Sequence, residues 1–398
     1  MVVEWKDRKK SMPRNISVGI DLGSQTTRIA VGEFIKGEKY PKIIGLGESP
    51  STGMRRGYVT DVAVVQNSIQ EARAQAERSS GLPIRRALLL ASGTTLRADS
   101  SSGAVMISKA DGEVTGLDVK KVLEDCEENL NLGNRKIVHV FPLSYRLDGK
   151  EVMGRLEGMR GTKLEAKALF VTYSSQHLED LLDAVALAGV ESVDVIASAV
   201  AAGTLALSDK EKAVGVALVD IGSETTSLAV FENGTLSALA TFAIGSEDIT
   251  NDIALGFKIT LTEAEKFKFG DTGPEYPKKK LEEIVRARLS DIFELVENHL
   301  KKIKRSGLLP AGIVFIGGGA NVSGLAEFAK AELKLPARVG STEIFGNAKT
   351  KLRDPGWIPV LGLLSYSRDL GLESEGSFAG LLKDLKNTIK GGLRQLMP

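Results

Sequence analysis

The sequence predicts an α/β fold built twice, as two lobes of mixed sheet and helix facing each other across a cleft. Three observations predict it. A short phrase occurs twice, as V-G-I-D-L-G-S-Q-T-T over residues 18–27 and as L-V-D-I-G-S-E-T-T over residues 218–226, half the chain apart. In each half the phrase opens a series of strand-like segments that then gives way to helix. A glycine triplet, Gly317-Gly318-Gly319, follows a β-branched strand late in the second half. With 398 residues, 42% of them hydrophobic, the chain can bury cores in one large or two medium domains.

Taken in order, residues 16–20, 27–34 and 42–48 read as strands, and a glycine-rich loop with Met54-Arg55-Arg56-Gly57 follows. Residues 61–79 read as an amphipathic helix with Val62, Val65, Ile69 and Ala72 on one face, and 87–92 as a buried strand. From 93 to 173 the style changes. Short strands at 105–108, 136–146 and 165–172 around a helix at 119–131 predict an inserted α+β subdomain. A helix at 174–188, a strand at 192–196 and an alanine-rich helix at 197–207 lead to the second phrase. There the strands are 215–219, 225–231 and 237–244, and the helices 248–255, 262–269 and 279–305. A strand at 313–316 enters the glycine triplet, a helix starts at 323–329, and 360–365 is apolar. A polar linker, 371–376, precedes a last helix, 377–398. Residues 1–15 are polar and basic without an apolar h-region, which reads as a disordered leader and not a secretory signal.

Composition excludes several classes. The formal net charge of +1 gives no basic field for nucleic acid. One cysteine, Cys126, rules out a disulfide framework and suits a reducing compartment. Three scattered histidines, His139, His177 and His299, make a zinc site improbable. No apolar stretch approaches a membrane span.

The repeated phrase carries the chemistry. Each copy is an apolar strand, an acid, a Gly-Ser turn and a Thr pair entering the next strand, which is a hairpin whose turn makes a nest for anions. A single copy is equally an ordinary hairpin turn. Two facing copies would clamp a polyphosphate, with Asp21 and Asp220 placed for a hydrated Mg²⁺ that takes few carboxylates and several waters; the alternative for each is an Asx-turn residue. Arg28 would reach a β- or γ-phosphate, and Ser227 replaces it in the second copy. The triplet Gly317-Gly318-Gly319 leaves backbone open to a purine or an α-phosphate. No Walker pattern occurs, and neither turn opens a helix at once, so P-loop and Rossmann readings fail.

With these motifs the chain resembles the actin-like ATPase superfamily and, within it, the FtsA family of bacterial cell-division proteins, along about residues 17–367. The most specific segments are H-V-F-P-L-S-Y-R-L-D-G (139–149) and G-M-R-G-T-K-L-E-A-K-A-L-F-V-T (158–172), which resemble that family's SHS2-like 1C subdomain. G-M-R-R-G-Y-V-T-D (53–61) and A-G-I-V-F-I-G-G-G-A (311–320) also match. The resemblance implies subdomain 1A over 16–92 and 174–210, 1C over 93–173, and 2A with 2B plus a return to 1A over 211–370. It implies ATP and Mg²⁺ as ligands. Gly23, Ser24, Gln25 and Thr26 would form one phosphate loop and Gly222, Ser223, Glu224 and Thr225 the other. Glu265 and Lys268 would border ribose and adenine, and Gly317 to Gly319 would back the adenosine. It implies head-to-tail self-assembly, later division partners at 1C, and the C-terminal peptide of FtsZ in 2B, with Arg288 as the residue chosen there. The place of action would be the cytoplasmic face of the cell membrane at the division site. One departure is informative: Val195-Ile196-Ala197-Ser198-Ala199 holds no Glu or Gln to orient a water, so hydrolysis is expected to be slow.

In the tail, Phe378, Leu381, Leu382, Leu385, Ile389 and Leu393 fall at helical spacing, and Lys383, Lys386, Lys390 and Arg394 occupy the other face. A basic amphipathic helix behind a linker reads as an in-plane anchor on anionic lipid, with a docked or partner-binding helix as the alternative. Two rival readings stay open at this point: a PilM-like type IV pilus assembly ATPase, and a small-molecule kinase on the same fold.

Overall fold

The computed structural model describes residues 15–369 apart from 272, 274, 275 and 346–349. The expected leader, the linker at 371–376 and the tail helix with Phe378 to Arg394 lie outside the described residues, Asn15 excepted.

The first lobe begins with β1 (Asn15–Leu22), β2 (Thr26–Phe34) and β3 (Lys42–Pro50), then a two-rung hairpin of β4 (Met54–Arg55) and β5 (Tyr58–Val59) where a loop was expected. Helix α1 (Val62–Ser80) follows. Asp61 caps it by accepting the Ala63 and Val64 amides, and Gly81, in the left-handed region at φ 70°, ends it. Its buried stripe, Val65, Ile69, Ala72 and Ala76, covers the sheet. β6 (Arg86–Ala91) is fully apolar after its first residue and lies inside the sheet, next to β1.

The insert then supplies β7 (Arg97–Met106), α2 (Gly116–Glu128), β8 (Arg135–Leu147), β9 (Lys150–Val152) and β10 (Lys163–Ser174). Its sheet, in the order β7-β10-β8-β9, closes over a small core of Val114, Val122, Cys126, Leu164, Ala168 and Phe170. Helix α3 (Ser175–Leu187) and β11 (Glu191–Ala197) return the chain to the first lobe.

Helices α4 (Ser198–Ala206) and α5 (Asp209–Val214) lead to the second lobe: β12 (Val216–Ile221), β13 (Thr226–Glu232), β14 (Thr235–Phe242), α6 (Ser246–Phe257), α7 (Leu261–Lys268), α8 (Lys278–Lys302), β15 (Ile313–Ile316), α9 (Leu325–Leu333), β16 (Ala337–Val339) and α10 (Ile358–Asp369). The duplication read from the phrase is a duplication of topology. One five-stranded sheet runs β3-β2-β1-β6-β11 and the other β14-β13-β12-β15-β16. In both, three antiparallel strands are extended by two parallel ones.

Between the lobes, α4 packs on α10. Both are apolar nearly all round and buried, which is why 360–365 shows no helical period in the sequence. They touch backbone to backbone: a Cβ added to Gly362 would lie 2.2 Å from the Ala201 carbonyl oxygen, and Thr204 Oγ1 donates to the Gly362 carbonyl at 3.1 Å. The insert meets both lobes as well. β14 lies against β7, β8 and β10, and the Ala197 amide, at the cap of α4, donates to His139 Nε2 of β8 at 3.0 Å. His139 is thus a strand residue, as expected from the sequence.

Candidate functional site

The two repeated phrases form the two hairpins, and the hairpins are alike in detail. In β1–β2 the Gly23 amide donates to the Thr26 carbonyl at 3.1 Å; in β12–β13 the Gly222 amide donates to the Thr225 carbonyl at 2.8 Å. A Cβ at Gly23 would sit 2.9 Å from the Thr26 oxygen, and one at Gly222 would sit 3.0 Å from the Thr225 oxygen. A side chain at Gly23 would force the Thr26 carbonyl to shift, and one at Gly222 would press on the Thr225 carbonyl. Each turn is seated on its own lobe. The Ser51 amide holds the Gln25 carbonyl at 2.9 Å, and the Ser246 and Glu247 amides at the start of α6 hold the Gly222 and Ser223 carbonyls at 2.8 Å.

The two turns line one cleft of about 290 Å³. Gly23, Ser24, Gln25, Thr26 and Arg28 line it from the first lobe, and Gly222, Ser223 and Thr225 from the second. Asp21 and Asp220 lie on its floor. In register, Asp21 stands opposite Arg28 and Asp220 opposite Ser227. Burial pushes the Asp21 carboxyl up to about 6, against the pull of Arg28. Burial, and then the Asp21 charge, push Asp220 up to about 7, again against Arg28. Two acids so disfavoured as anions call for a cation between them. Among the described residues no group of three or more His, Cys, Asp or Glu side chains could hold a metal by itself. A cation here would complete its shell with water and phosphate oxygens, which is the habit of Mg²⁺.

Arg28 is already engaged. Its Nε lies 3.2 Å from Glu48, another guanidinium nitrogen lies 3.6 Å from Asp354, and the group stacks 5.5 Å over Trp357. Glu265 lines the cleft, whereas Lys268 is turned into the core behind it, donating to Glu265 at 2.8 Å, Thr250 at 2.9 Å and the Ser246 carbonyl at 3.2 Å. Lys268 therefore positions Glu265, and burial lowers its own pKa. Gly317 and Gly318 line the cleft, and Gly319 packs on Ile221 outside it. Gly317 has φ 83°, and a Cβ there would lie 2.2 Å from an Asp220 carboxylate oxygen, so only glycine lets this strand end pass the acid. The triplet leads into a 3-10 turn, Gly318–Asn321, and the helix expected at 323–329 begins at Leu325. Glu224 is not in the lining; its carboxylate crosses to the first lobe and takes the Arg56 amide at 2.5 Å. Arg288 lies apart on α8, bound to Asp252 at 2.7 and 3.1 Å and to Asp291 at 3.1 Å.

Sequence reasoning missed the wall formed by Asn321, Asp354 and Gly356. Asp354 accepts from Asn321 Nδ2 at 2.7 Å and from the Gly356 amide at 2.9 Å. The D-P-G-W turn at 354–357 was the available signal. Ser198 and Ala199, at the start of α4, also line the cleft and carry no carboxylate or carboxamide.

Two like sheets, each opening on a glycine hairpin and closed around a common acidic cleft, define an actin-like ATPase fold. Solved structures agree on the fold. A chain of the PilM-PilN type IV pilus biogenesis complex superposes with TM-score 0.66 at 18% identity, covering 87% of this chain and 97% of its own. MreB5 of Spiroplasma citri bound to ADP does so with TM-score 0.50 at 14% identity, covering 89% and 100%. Sequence comparison narrows the class. Residues 217–362 match the family described as "Cell division protein FtsA", and residues 93–172 match the "SHS2 domain inserted in FTSA". The chain is 32% identical over 372 residues to the cell division protein FtsA of Bacillus subtilis (strain 168), covering 88% of this chain and 83% of the relative. It is 30% identical over 381 residues to that of Pseudomonas aeruginosa, covering 90% of each, and 27% identical over 395 residues to that of Escherichia coli (strain K12), covering 92% and 93%. The chain belongs to the FtsA family of cell-division proteins.

Proposed function

We propose that the chain binds ATP with Mg²⁺ in this cleft and acts as a membrane-tethered, self-assembling adaptor that recruits FtsZ filaments at the division site. The observation that carries this reading is the pair of matched hairpins over the buried Asp21–Asp220 pair. The turns of residues 23–26 and 222–225 would hold the phosphates. Asp21 and Asp220 would hold the hydrated metal ion, whose contribution is to neutralise phosphate charge. Glu265, braced by Lys268, would take a ribose hydroxyl, and Gly317-Gly318 with Asn321 would back the nucleoside. Since Ser198 and Ala199 offer no carboxylate or carboxamide to orient a water, turnover is slow and the nucleotide serves as an assembly signal.

Open head-to-tail filaments follow from a heterologous contact that does not close. The tail, 377–398, would lie in the membrane plane with Phe378, Leu381, Leu382, Leu385, Ile389 and Leu393 in the acyl boundary and Lys383, Lys386, Lys390 and Arg394 on anionic headgroups. Among the described residues, no helix is long and apolar enough to cross a membrane. Arg288 on α8 would meet the acidic FtsZ tail peptide, and the insert would meet later division proteins.

Co-sedimentation with anionic liposomes in ATP·Mg²⁺ tests the tether, comparing the full chain with one ending at Leu370. The full chain alone is expected to pellet with lipid. If neither form pellets, the tail is a docking helix and the pilus-assembly type of role takes precedence.

A further inference from the structure

The charge balance of the cleft leaves one ligand group without a counterpart. Among the described residues, the lining carries the acids Asp21, Asp220, Glu265 and Asp354 and a single cation, Arg28, which Glu48 and Asp354 already hold. Backbone turns and a divalent ion can satisfy inner phosphates. An outermost phosphate, with the most charge and the most reach, needs a cation at the rim.

Two stand next to the lining in sequence, Arg55 and Arg56, on the β4–β5 hairpin just before the lining residue Gly57. The hairpin is fixed to the cleft wall. Gly57 (φ 85°) and Gly93 (φ 92°) lie back to back, such that a Cβ on Gly57 would fall 2.4 Å from the Gly93 Cα. The Arg56 carbonyl accepts the Thr94 amide at 3.2 Å. Arg56 itself is held in the left-handed region at φ 50°, a strained setting for a residue with a side chain. Its amide thereby donates to Glu224, in the turn of the second lobe, at 2.5 Å. The same carboxylate lies 3.8 Å from Arg55 Nε, and the Arg55 side chain is 72% exposed. So loose and exposed a pair is weak. Glu224 is flanked by Ser223 and Thr225, both of which line the cleft.

We propose that Arg55 is the terminal-phosphate reader of this cleft, held by Glu224 across the lobes until a nucleoside triphosphate offers it a stronger anion. This deepens the nucleotide reading above and rests on it. A phosphate outweighs a loosely paired carboxylate because it presents more charge and a fork that guanidinium matches in two bonds. A diphosphate lacks the outermost group, so Arg55 separates ATP from ADP, and Glu224 ties that choice to the contact between lobes.

Titration calorimetry with ATP and ADP, each with Mg²⁺, on the full chain and its Arg55→Ala and Arg55→Lys variants tests it. Arg55→Ala is expected to lose on the order of tenfold for ATP and less than about twofold for ADP, with Arg55→Lys between. Equal losses for both nucleotides, or none for either, overturn it while leaving the nucleotide site standing. A wild-type chain that binds neither nucleotide removes the underlying reading and the phosphate role with it. Without nucleotide, Glu224→Gln is expected to speed hydrogen exchange at residues 54–59. Unchanged exchange there overturns the cross-lobe hold independently.

Discussion

Replacing Asp118 by alanine is expected to unfold the inserted subdomain first, and the size of the effect can be worked from its bonds. Asp118 has no exposed surface, in the first turn of α2. One carboxylate oxygen accepts the Ser108 amide at 2.9 Å and its hydroxyl at 2.7 Å; the other accepts the Thr115 amide at 2.9 Å and its hydroxyl at 2.6 Å. Burial alone would raise its pKa, but the Thr115 and Ser108 hydroxyls and amides together outweigh it and hold the group well below the usual carboxylate range. The alanine variant loses the capping box, about 1 kcal/mol. It also takes the acceptor from two part-buried amides, those of Ser108 and Thr115, at about 0.5–1.5 kcal/mol each. A loss of about 2–4 kcal/mol follows, large against the stability of a small unit. Because the folded pKa is depressed, the contribution is complete above the unfolded value near 4 and shrinks as pH falls towards the folded one. Hydrogen exchange at residues 108–118 at pH 6 to 8 reads the loss, and thermal unfolding from pH 7 down to 3 reads the pH dependence. The gap between wild type and variant should be constant above about pH 5 and narrow below about pH 4. A loss under about 1 kcal/mol at pH 7, or a gap that widens in acid, would refute the reasoning.

Asp220→Asn should abolish most of the Mg²⁺ dependence of nucleotide binding and weaken ATP by more than about tenfold in calorimetry. The same variant should raise the apo melting temperature at pH 8, because it removes a carboxylate that burial and Asp21 disfavour. Arg288→Ala should weaken a labelled acidic FtsZ-tail peptide in anisotropy, with a difference that fades as salt rises. Stability should change by less than about 1 kcal/mol, since Asp252 and Asp291 are themselves part-exposed. Gly317→Ala should lower stability by about 2–4 kcal/mol in denaturant unfolding and weaken nucleotide binding, because the methyl group meets the Asp220 carboxylate.

The hairpins, the insert and the three-strand opening of each lobe were legible because period-two apolar runs end at tight glycine-serine turns. Elements whose signal is not periodic were not. Helix α10 is buried on nearly every side, so its 360–365 stretch reads only as apolar. The β4–β5 hairpin has too few residues to alternate, and β16 is three residues long. At the site, spacing placed Gly23–Thr26 and Gly222–Thr225 but not the direction of their side chains. Glu224 turns outwards to Arg56, and Lys268 inwards to Ser246 and Thr250. Asn321 and Asp354 meet only through the tertiary fold, 33 residues apart in sequence.

The backbone contact between α4 and α10 has a mechanical consequence. Where Gly362 meets Ala201, the spacing of the helices is set by the thickness of the peptide chain itself, with no side chain as a cushion. A side chain can change rotamer to absorb a strain, whereas a peptide group cannot. Movement of either helix at this point passes undamped to the other, and α4 begins at Ser198 and Ala199 on the cleft wall. A single methyl group on Gly362 would act as a shim between the helices, displacing the cleft wall without touching any residue that lines it.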